Sequence, residues 1–432
     1  MAADQVWKSV QLKNFRAFED TGSIEYAPIT LLFGRNSSGK TSILRAPLLL
    51  KQFIEQPPGT EPGFSGSAVD FGSFAETVHA GDRSRDIGIA AELDIQDIGI
   101  GVPEDLNDAF GLDRKTRLGQ FALDMALHWN MRNSRTVISE MNFRADPRAE
   151  AAVALTRTGL DRHSIAIGGG RARKVNGELL PQTLRFSGLR RSGDQLDRQW
   201  DYAMFSLGIA LELAVTRLVH VGPLRDQPSR AYRTDQVGVA GARDTIDVLR
   251  GGGKAARDVV SALKLLKMAD GIKIDKLAPG YSAILLKEVR TGRMENLADV
   301  GFGVSQVLPI ITTLVTTEPG STVLVEQPEL HLHPEAQGNF ADVLLDLARS
   351  RNIGLVIETH SEHFLLRLQR RVADATIDPE YLTTYFVDAG SVRRANIDRR
   401  GRLDRSAVPD GFFEEDWQDL LKLTAEAAKV AE

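Results

Sequence analysis

Hydrophobic and polar positions change their period several times along this chain. Residues 6–14 (VWKSVQLKN) and 29–33 (ITLLF) read as short strands, the second a buried apolar run. The segment that follows, GRNSSGKTSILRAPLLLKQFIEQ, reads as a loop that opens a helix. From about 87 to 145, alternating segments such as IGIAAELDI and RTVISEMNF predict strands of one sheet. Amphipathic helices are predicted over 201–219 and 254–270. Beyond 297 strands and helices alternate: a helix over 304–317, a strand over 321–326, a helix over about 335–350, a strand over 353–358, and a helix through HFLLRLQRRVA. A hairpin (TTYFVDAG, SVRRANI) and a closing helix, GFFEEDWQDLLKL, complete the pattern. Such alternation makes an α/β fold with a mostly parallel sheet, and ligands bind at the carboxyl ends of its strands.

The breaks in the pattern suggest four parts. Residues 1–90 form one lobe, 91–220 an inserted β-rich and basic region, 221–296 a helical region, and 297–432 a second lobe. Residues 57–66 are a Pro/Gly-rich loop, and 146–200 are irregular, with a glycine run at 168–170. Heptads never persist for three or four repeats, so no long coiled coil is expected. There is no internal repeat.

Composition changes this picture little. At 432 residues the chain is too long for one ordinary core. It has no cysteine, which excludes disulfides and thiolate metal sites. The net charge of −5 gives no general argument for nucleic acid, yet Arg132 to Arg198 carries 13 basic against 7 acidic residues. That stretch is either a solvated surface or a phosphate-facing patch. The N-terminus lacks the layout of a signal peptide, and no run of about 18 apolar residues occurs, so a cytoplasmic protein away from membranes is expected.

Four motifs carry chemistry. Gly34-Arg35-Asn36-Ser37-Ser38-Gly39-Lys40-Thr41, followed by Ser42, fits G-x-x-x-x-G-K-[ST] between an apolar strand and a helix. Its glycines let backbone N–H groups turn inward onto phosphate, and the helix N-terminus adds partial positive charge. Lys40 is placed to reach the β- and γ-phosphates of ATP, and the Thr41 hydroxyl to ligate Mg²⁺. The second motif, STVLVE ending on Glu326 and followed by Gln327, Pro328 and Glu329, is an apolar strand with an acid at its tip. Glu326 is the expected metal carboxylate. The third, Gly301-Phe302-Gly303-Val304-Ser305-Gln306, lies about twenty residues earlier and reads as a signature loop. The fourth, Ile357-Glu358-Thr359-His360-Ser361, puts a histidine at the end of the next strand, where it can sense a γ-phosphate.

With these motifs in this order, the chain resembles ABC-type ATPases of the SMC-like group. It looks most like OLD-family ATPases and the predicted ATPases of bacterial defence loci. The resemblance rests on VQLKNFRAFED, APITLLFGRNSSGKTSIL, FGSFAETVHAGD, HVGPLRDQPSRAYR, DVGFGVSQVLPI, EQPELHLHPEAQ and ETHSEHFLLRLQRR. It implies a P-loop NTPase head with an N-terminal antiparallel β-subdomain and an inserted α+β region. It also implies a homodimer closed around two ATP molecules. Gly303, Ser305 and Gln306 of one chain would then meet the nucleotide of the other, with His360 as the switch histidine. The segment with His331 and His333, two apart as on one strand face, resembles the D-loop of that family. Phe15, Arg16 and Phe18 sit where such heads meet adenine or α-phosphate. Arg225 and Arg230 face either a phosphate or a partner, or are plain turn residues. Gln52 is not assigned as the Q-loop glutamine.

Three departures from the family qualify the reading. Gln327 stands where a catalytic Glu is usual, so hydrolysis is expected to be slow, with Glu329 as the substitute base. The absent coiled coil excludes a full SMC protein. The residues after His360 lack the acidic cluster of a TOPRIM nuclease, since Asp388, Asp398 and Asp404 are scattered among arginines. The expected function is a slow Mg-ATP-gated sensor or regulator of a separate effector protein, in anti-phage defence or DNA maintenance. The alternatives are a nucleotide-dependent scaffold with negligible hydrolysis and a DNA-binding repair ATPase.

Overall fold

The computed structural model describes residues 5–55, 62–95, 120–144, 153–159, 162–167, 173–176, 178–180, 185–187, 208–223, 225, 228–233 and 242–409. The predicted closing helix and the 168–170 glycine run lie outside them, as do parts of the basic stretch.

Strand β1 (Trp7–Phe15) opens the chain and β2 (Ile29–Gly34) leads into helix α1 (Lys40–Glu55). Strands β3 (Ile87–Asp94), β4 (Gln120–Asn130), β5 (Arg135–Arg144), β6 (Val153–Gly159) and β7 (Arg162–Ile167) follow. They pair antiparallel in sequence order, and β3 also pairs with β1. Alternation explains this sheet: in β3 every second residue from Ile87 is buried.

Residues 208–216 are helical, and the chain then enters β8 (Leu218–Val221), so the helix predicted to 219 ends early. Helices α2 (Ala242–Gly251) and α3 (Gly253–Leu265) come next. The region read as helical then adds an antiparallel sheet of β9 (Gly271–Ala278), β10 (Tyr281–Lys287) and β11 (Met294–Asn296). The second lobe runs α4 (Phe302–Thr316), β12 (Thr322–Glu326), α5 (Pro334–Arg351), β13 (Gly354–Glu358), α6 (Glu362–Ala373), β14 (Leu382–Asp388) and β15 (Ser391–Ala395).

A second sheet, in the order β8-β12-β13-β2-β14-β15, is parallel except for the last pair. Its central strands are buried on both faces, which accounts for their continuous apolar runs. Leu32, Leu324, Val356 and Val387 pack on one face with α1 and the antiparallel sheet. Leu31, Phe33, Val323, Val325, Leu355 and Ile357 pack on the other, with α4, α5 and α6. The parallel sheet therefore divides two hydrophobic cores. All its parallel strands point their carboxyl ends to one edge, and the phosphate loop, the Glu326–Glu329 segment and the Glu358–His360 segment meet there.

Candidate nucleotide site

Two glycines build the loop between β2 and α1. A Cβ on Gly34 would lie 2.2 Å from the Val387 carbonyl oxygen of β14. Gly39 has a φ of +104°, and a Cβ there would meet the Phe18 ring at 2.5 Å. The curl these glycines allow starts α1 at Lys40, so the unpaired N–H groups of its first turn face the loop. Lys40 is buried, and its Nζ donates to the Gly34 carbonyl at 3.0 Å and the Arg35 carbonyl at 2.7 Å. Burial holds the Lys40 pKa below its ordinary value, against the pull of Glu358 and Glu329. Arg35, Asn36 and Ser37 are exposed on the rim and Ser42 is half-buried, while Ser38 is buried. The Ser38 Oγ has no hydrogen-bond partner.

Helix α1 crosses the strand ends and is tied to three of them. The Thr41 hydroxyl donates to Glu358 Oε1, at the tip of β13, at 2.8 Å. One turn on, Arg45 holds Glu326 at the tip of β12, Nε to Oε1 at 2.6 Å and Nη2 to Oε2 at 2.7 Å. Lys51 donates to the Leu218 carbonyl of β8 at 2.9 Å. The His220 Nε2 also lies 2.6 Å from Glu326 Oε1. Burial pushes the Glu326 pKa up, but the bonds from His220 and Arg45 outweigh it and the net shift is downward. Glu358 moves the other way: burial raises its pKa, Thr41 opposes this, and the neighbouring Glu326 adds to it.

Behind this row, Glu329 is buried and its Oε1 accepts the His360 backbone N–H at 2.8 Å. Its Oε2 has no hydrogen-bond partner, and burial raises its pKa. Gln327 is half-buried, with a φ of +43°, and its N–H donates to the Glu358 carbonyl at 2.8 Å. His360 keeps an accessible ring beside the loop. Desolvation and then the Lys40 charge hold its pKa below the ordinary value, opposed by a bond to the Gly34 backbone. Arg225 donates through Nη2 to the Glu326 carbonyl at 2.7 Å, while its buried Nε and Nη1 lack partners. Burial lowers its pKa to about 10. Arg230 is instead spent on Asp299, at 2.9 and 2.6 Å.

The signature segment lies apart from this cluster. No hydrogen bond among the described residues joins Gly303, Ser305 or Gln306 to residues 34–42. Ser305 and Gln306 are buried, and the Ser305 Oγ donates to the Phe302 carbonyl at 2.7 Å. The exposed group at this helix start is Phe302, whose ring meets His331 edge-to-face at 5.0 Å. A Cβ on Gly303 would touch Leu332 at 3.2 Å, so the signature and D-loop-like segments pack together. The latter is a turn with His331 at a φ of +64°, so the two histidines do not share a strand face.

Residues 7–154 and 262–365, more than half of the chain, match the family model described as AAA_15: AAA ATPase domain. The chain belongs to the AAA ATPase domain family. Its fold is similar to a solved SMC head bound to the C-winged helix domain of ScpA, at 11% identity and a TM-score of 0.51, covering 91% of this chain and 98% of that one. The SMC head domain from Thermotoga maritima aligns at 10% identity and a TM-score of 0.44, covering 91% and 100%. No curated protein matches. The likeness to the first of these structures is one of fold, that of an SMC-head P-loop NTPase.

The residues of this AAA ATPase domain fit a nucleotide. Ser38 Oγ, Glu329 Oε2, Glu358 Oε2 and two Arg225 nitrogens are buried polar atoms without partners, gathered around the loop. Lys40 would exchange its two carbonyl partners for phosphate oxygens, and Thr41 would offer its hydroxyl to Mg²⁺. Bound Mg²⁺ would neutralise charge on the phosphate oxygens. The other expected residues have structural duties. Phe15 and Phe18 are buried, and Arg16 donates to the Phe71 carbonyl at 3.0 Å and lies over that ring. Gln52 accepts from Val69 N–H and donates to the Gly63 carbonyl, pinning the loop after α1. Sequence reasoning missed Arg45, His220 and Glu358. The signal for Arg45 was present: it is the one charge between Lys40 and Lys51 in an otherwise largely apolar stretch, four residues after Thr41. Asp398 and Asp404 accept backbone N–H groups in turns of the C-terminal part.

Proposed function

We propose that this AAA ATPase domain is a slow Mg-ATP-gated switch that closes as a homodimer and regulates a separate effector protein. One observation carries the slow rate. The position after the tip acid is Gln327, an amide that orients water but cannot take its proton. The nearest substitute, Glu329, already accepts the His360 N–H. A long-lived ATP state gives a partner time to read it. Differential binding of that partner to the open and closed states makes the switch. In the SMC comparison the head is bound to a winged-helix domain of ScpA. An effector docked on this head is the corresponding proposal, with anti-phage defence or DNA maintenance as its setting. Exposed Phe302, at the start of α4, supports a signature side that meets a second copy.

The test measures ATP turnover together with mass in solution for wild type, Lys40→Ala and Gln327→Glu. Slow wild-type turnover with an ATP-stabilised dimer is expected. Both are lost in Lys40→Ala, and turnover rises in Gln327→Glu. Nucleotide binding with no turnover in wild type or Gln327→Glu would favour the scaffold reading, which Gln327 also supports. A mass that ATP leaves unchanged would sink the dimer switch.

A further inference from the structure

We propose that Glu358 is the acidic residue of the Mg²⁺ site, and that Glu326, the acid the strand motif nominates, instead anchors α1 to the sheet. The inference rests on the Mg-ATP reading above and goes beyond it by reassigning the metal carboxylate.

Sheet order supplies the first argument. Strand β13 lies between β2 and β12, so the strand next to the phosphate loop ends on Glu358, and Glu326 is one strand further out. The two acids are in register, Glu326 opposite Glu358, and both point toward α1. Thr41 reaches Glu358, whereas Glu326 is reached from the next turn of the helix, by Arg45.

The two carboxylates differ in what they have left to give. Glu326 accepts two bonds from Arg45 and lies against His220, so both of its oxygens are engaged and its charge is matched by a guanidinium. Glu358 takes one hydrogen bond, and its Oε2 is buried without a partner. It is 3% exposed, so bulk water does not satisfy that oxygen.

The proton on Thr41 points to the same carboxylate. A hydroxyl has one hydrogen, and Thr41 gives it to Glu358 Oε1. Its oxygen lone pairs are thereby turned away from the carboxylate and are available to a cation. A carboxylate that orients a ligand in this way also makes it more basic. Mg²⁺ keeps several waters and binds through one or two carboxylates. The free Oε2 of Glu358 is the acceptor for such a water or for the ion itself.

The experiment measures affinity for a fluorescent, non-hydrolysable ATP analogue with and without Mg²⁺. It also measures affinity for Mn²⁺ by electron paramagnetic resonance on the nucleotide-loaded protein. Glu358→Gln is expected to bind metal-free nucleotide like wild type and to lose at least about tenfold in Mn²⁺ affinity, a loss of one carboxylate contact. Glu358→Ala serves as the second variant and is expected to lose the same. Glu326→Gln is expected to keep Mn²⁺ affinity within about threefold while lowering the melting temperature, as loss of an anchor does. Wild-type Mn²⁺ affinity in both Glu358 variants would overturn the assignment, as would a tenfold loss confined to Glu326→Gln. Wild-type protein that binds no nucleotide under either condition would overturn the Mg-ATP reading itself.

Discussion

Arg45 and Glu326 meet in a two-point ion pair between the phosphate-loop helix and the second strand from it, with bonds of 2.6 and 2.7 Å. Glu326 is almost fully buried, so the pair's role shows when one member is removed. Arg45→Ala leaves a buried carboxylate with only His220 beside it. The expected loss is about 2–4 kcal/mol, read from urea unfolding. The double replacement Arg45→Met with Glu326→Leu removes both charges and is expected to recover most of that loss. A single-variant loss under about 0.5 kcal/mol would mean that His220 alone holds Glu326.

Gly34 and Gly39 tolerate no side chain, for different reasons. At Gly34 the obstacle is the backbone oxygen of Val387, which cannot swing aside. At Gly39 it is the Phe18 ring together with a φ of +104°. Each alanine variant is expected to cost at least about 1–3 kcal/mol and to abolish nucleotide binding, checked by thermal melts and analogue titration. Unchanged binding in Gly39→Ala would show that the loop reshapes without penalty.

Asp342 ties α5 to α6, accepting from Arg367 at 2.6 Å and from Arg371 at 2.7 and 2.8 Å. Burial raises its pKa, but the two guanidiniums more than reverse this, leaving it below its ordinary value. A carboxylate shifted down stabilises the fold above its unfolded pKa, about 3.9, and that contribution drains as pH falls through the folded value. Asp342→Asn is therefore expected to lose about 1–2 kcal/mol at pH 7, with the gap to wild type closing below about pH 4. A gap independent of pH would assign the loss to packing instead.

Gln52 binds the backbone after α1 through Gly63, Ala68 and Val69. Gln52→Ala is expected to cost about 1–2 kcal/mol and to speed hydrogen exchange at Ala68 and Val69 while leaving α1 protected. Slower nucleotide binding without faster exchange there would point to a direct role at the site.

The order of elements in the second lobe was legible because β12 and β13 are apolar runs that end on an acid, and a helix follows each within a few residues. The G-x-x-x-x-G-K-[ST] pattern, in its strand–loop–helix context, picked out Lys40 and Thr41. Glu358 was not legible as a partner of Thr41, because periodicity does not say which strand lies beside which. Only the order β12-β13-β2 brings Glu358, rather than Glu326, against the loop. Sheet strands β9 and β10 were missed because GIKIDKLA and YSAILLK follow a long amphipathic helix and carry helix-compatible lysines and leucines. Ser305 was read from its place in a motif, and the structure buries its hydroxyl in its own helix. A motif gives the residue but not which way its side chain turns.

The ties that make the cradle span most of the chain. Thr41 finds Glu358 across 317 positions and Arg45 finds Glu326 across 281. Gly34 packs under Val387. At a synthesis rate of about 5–20 residues per second, the phosphate loop emerges roughly 15–60 s before the strands that shape it. A loop that precedes those strands by some three hundred residues is thus completed only when they arrive. Nucleotide retention by a nascent chain would report that the C-terminal strands have arrived.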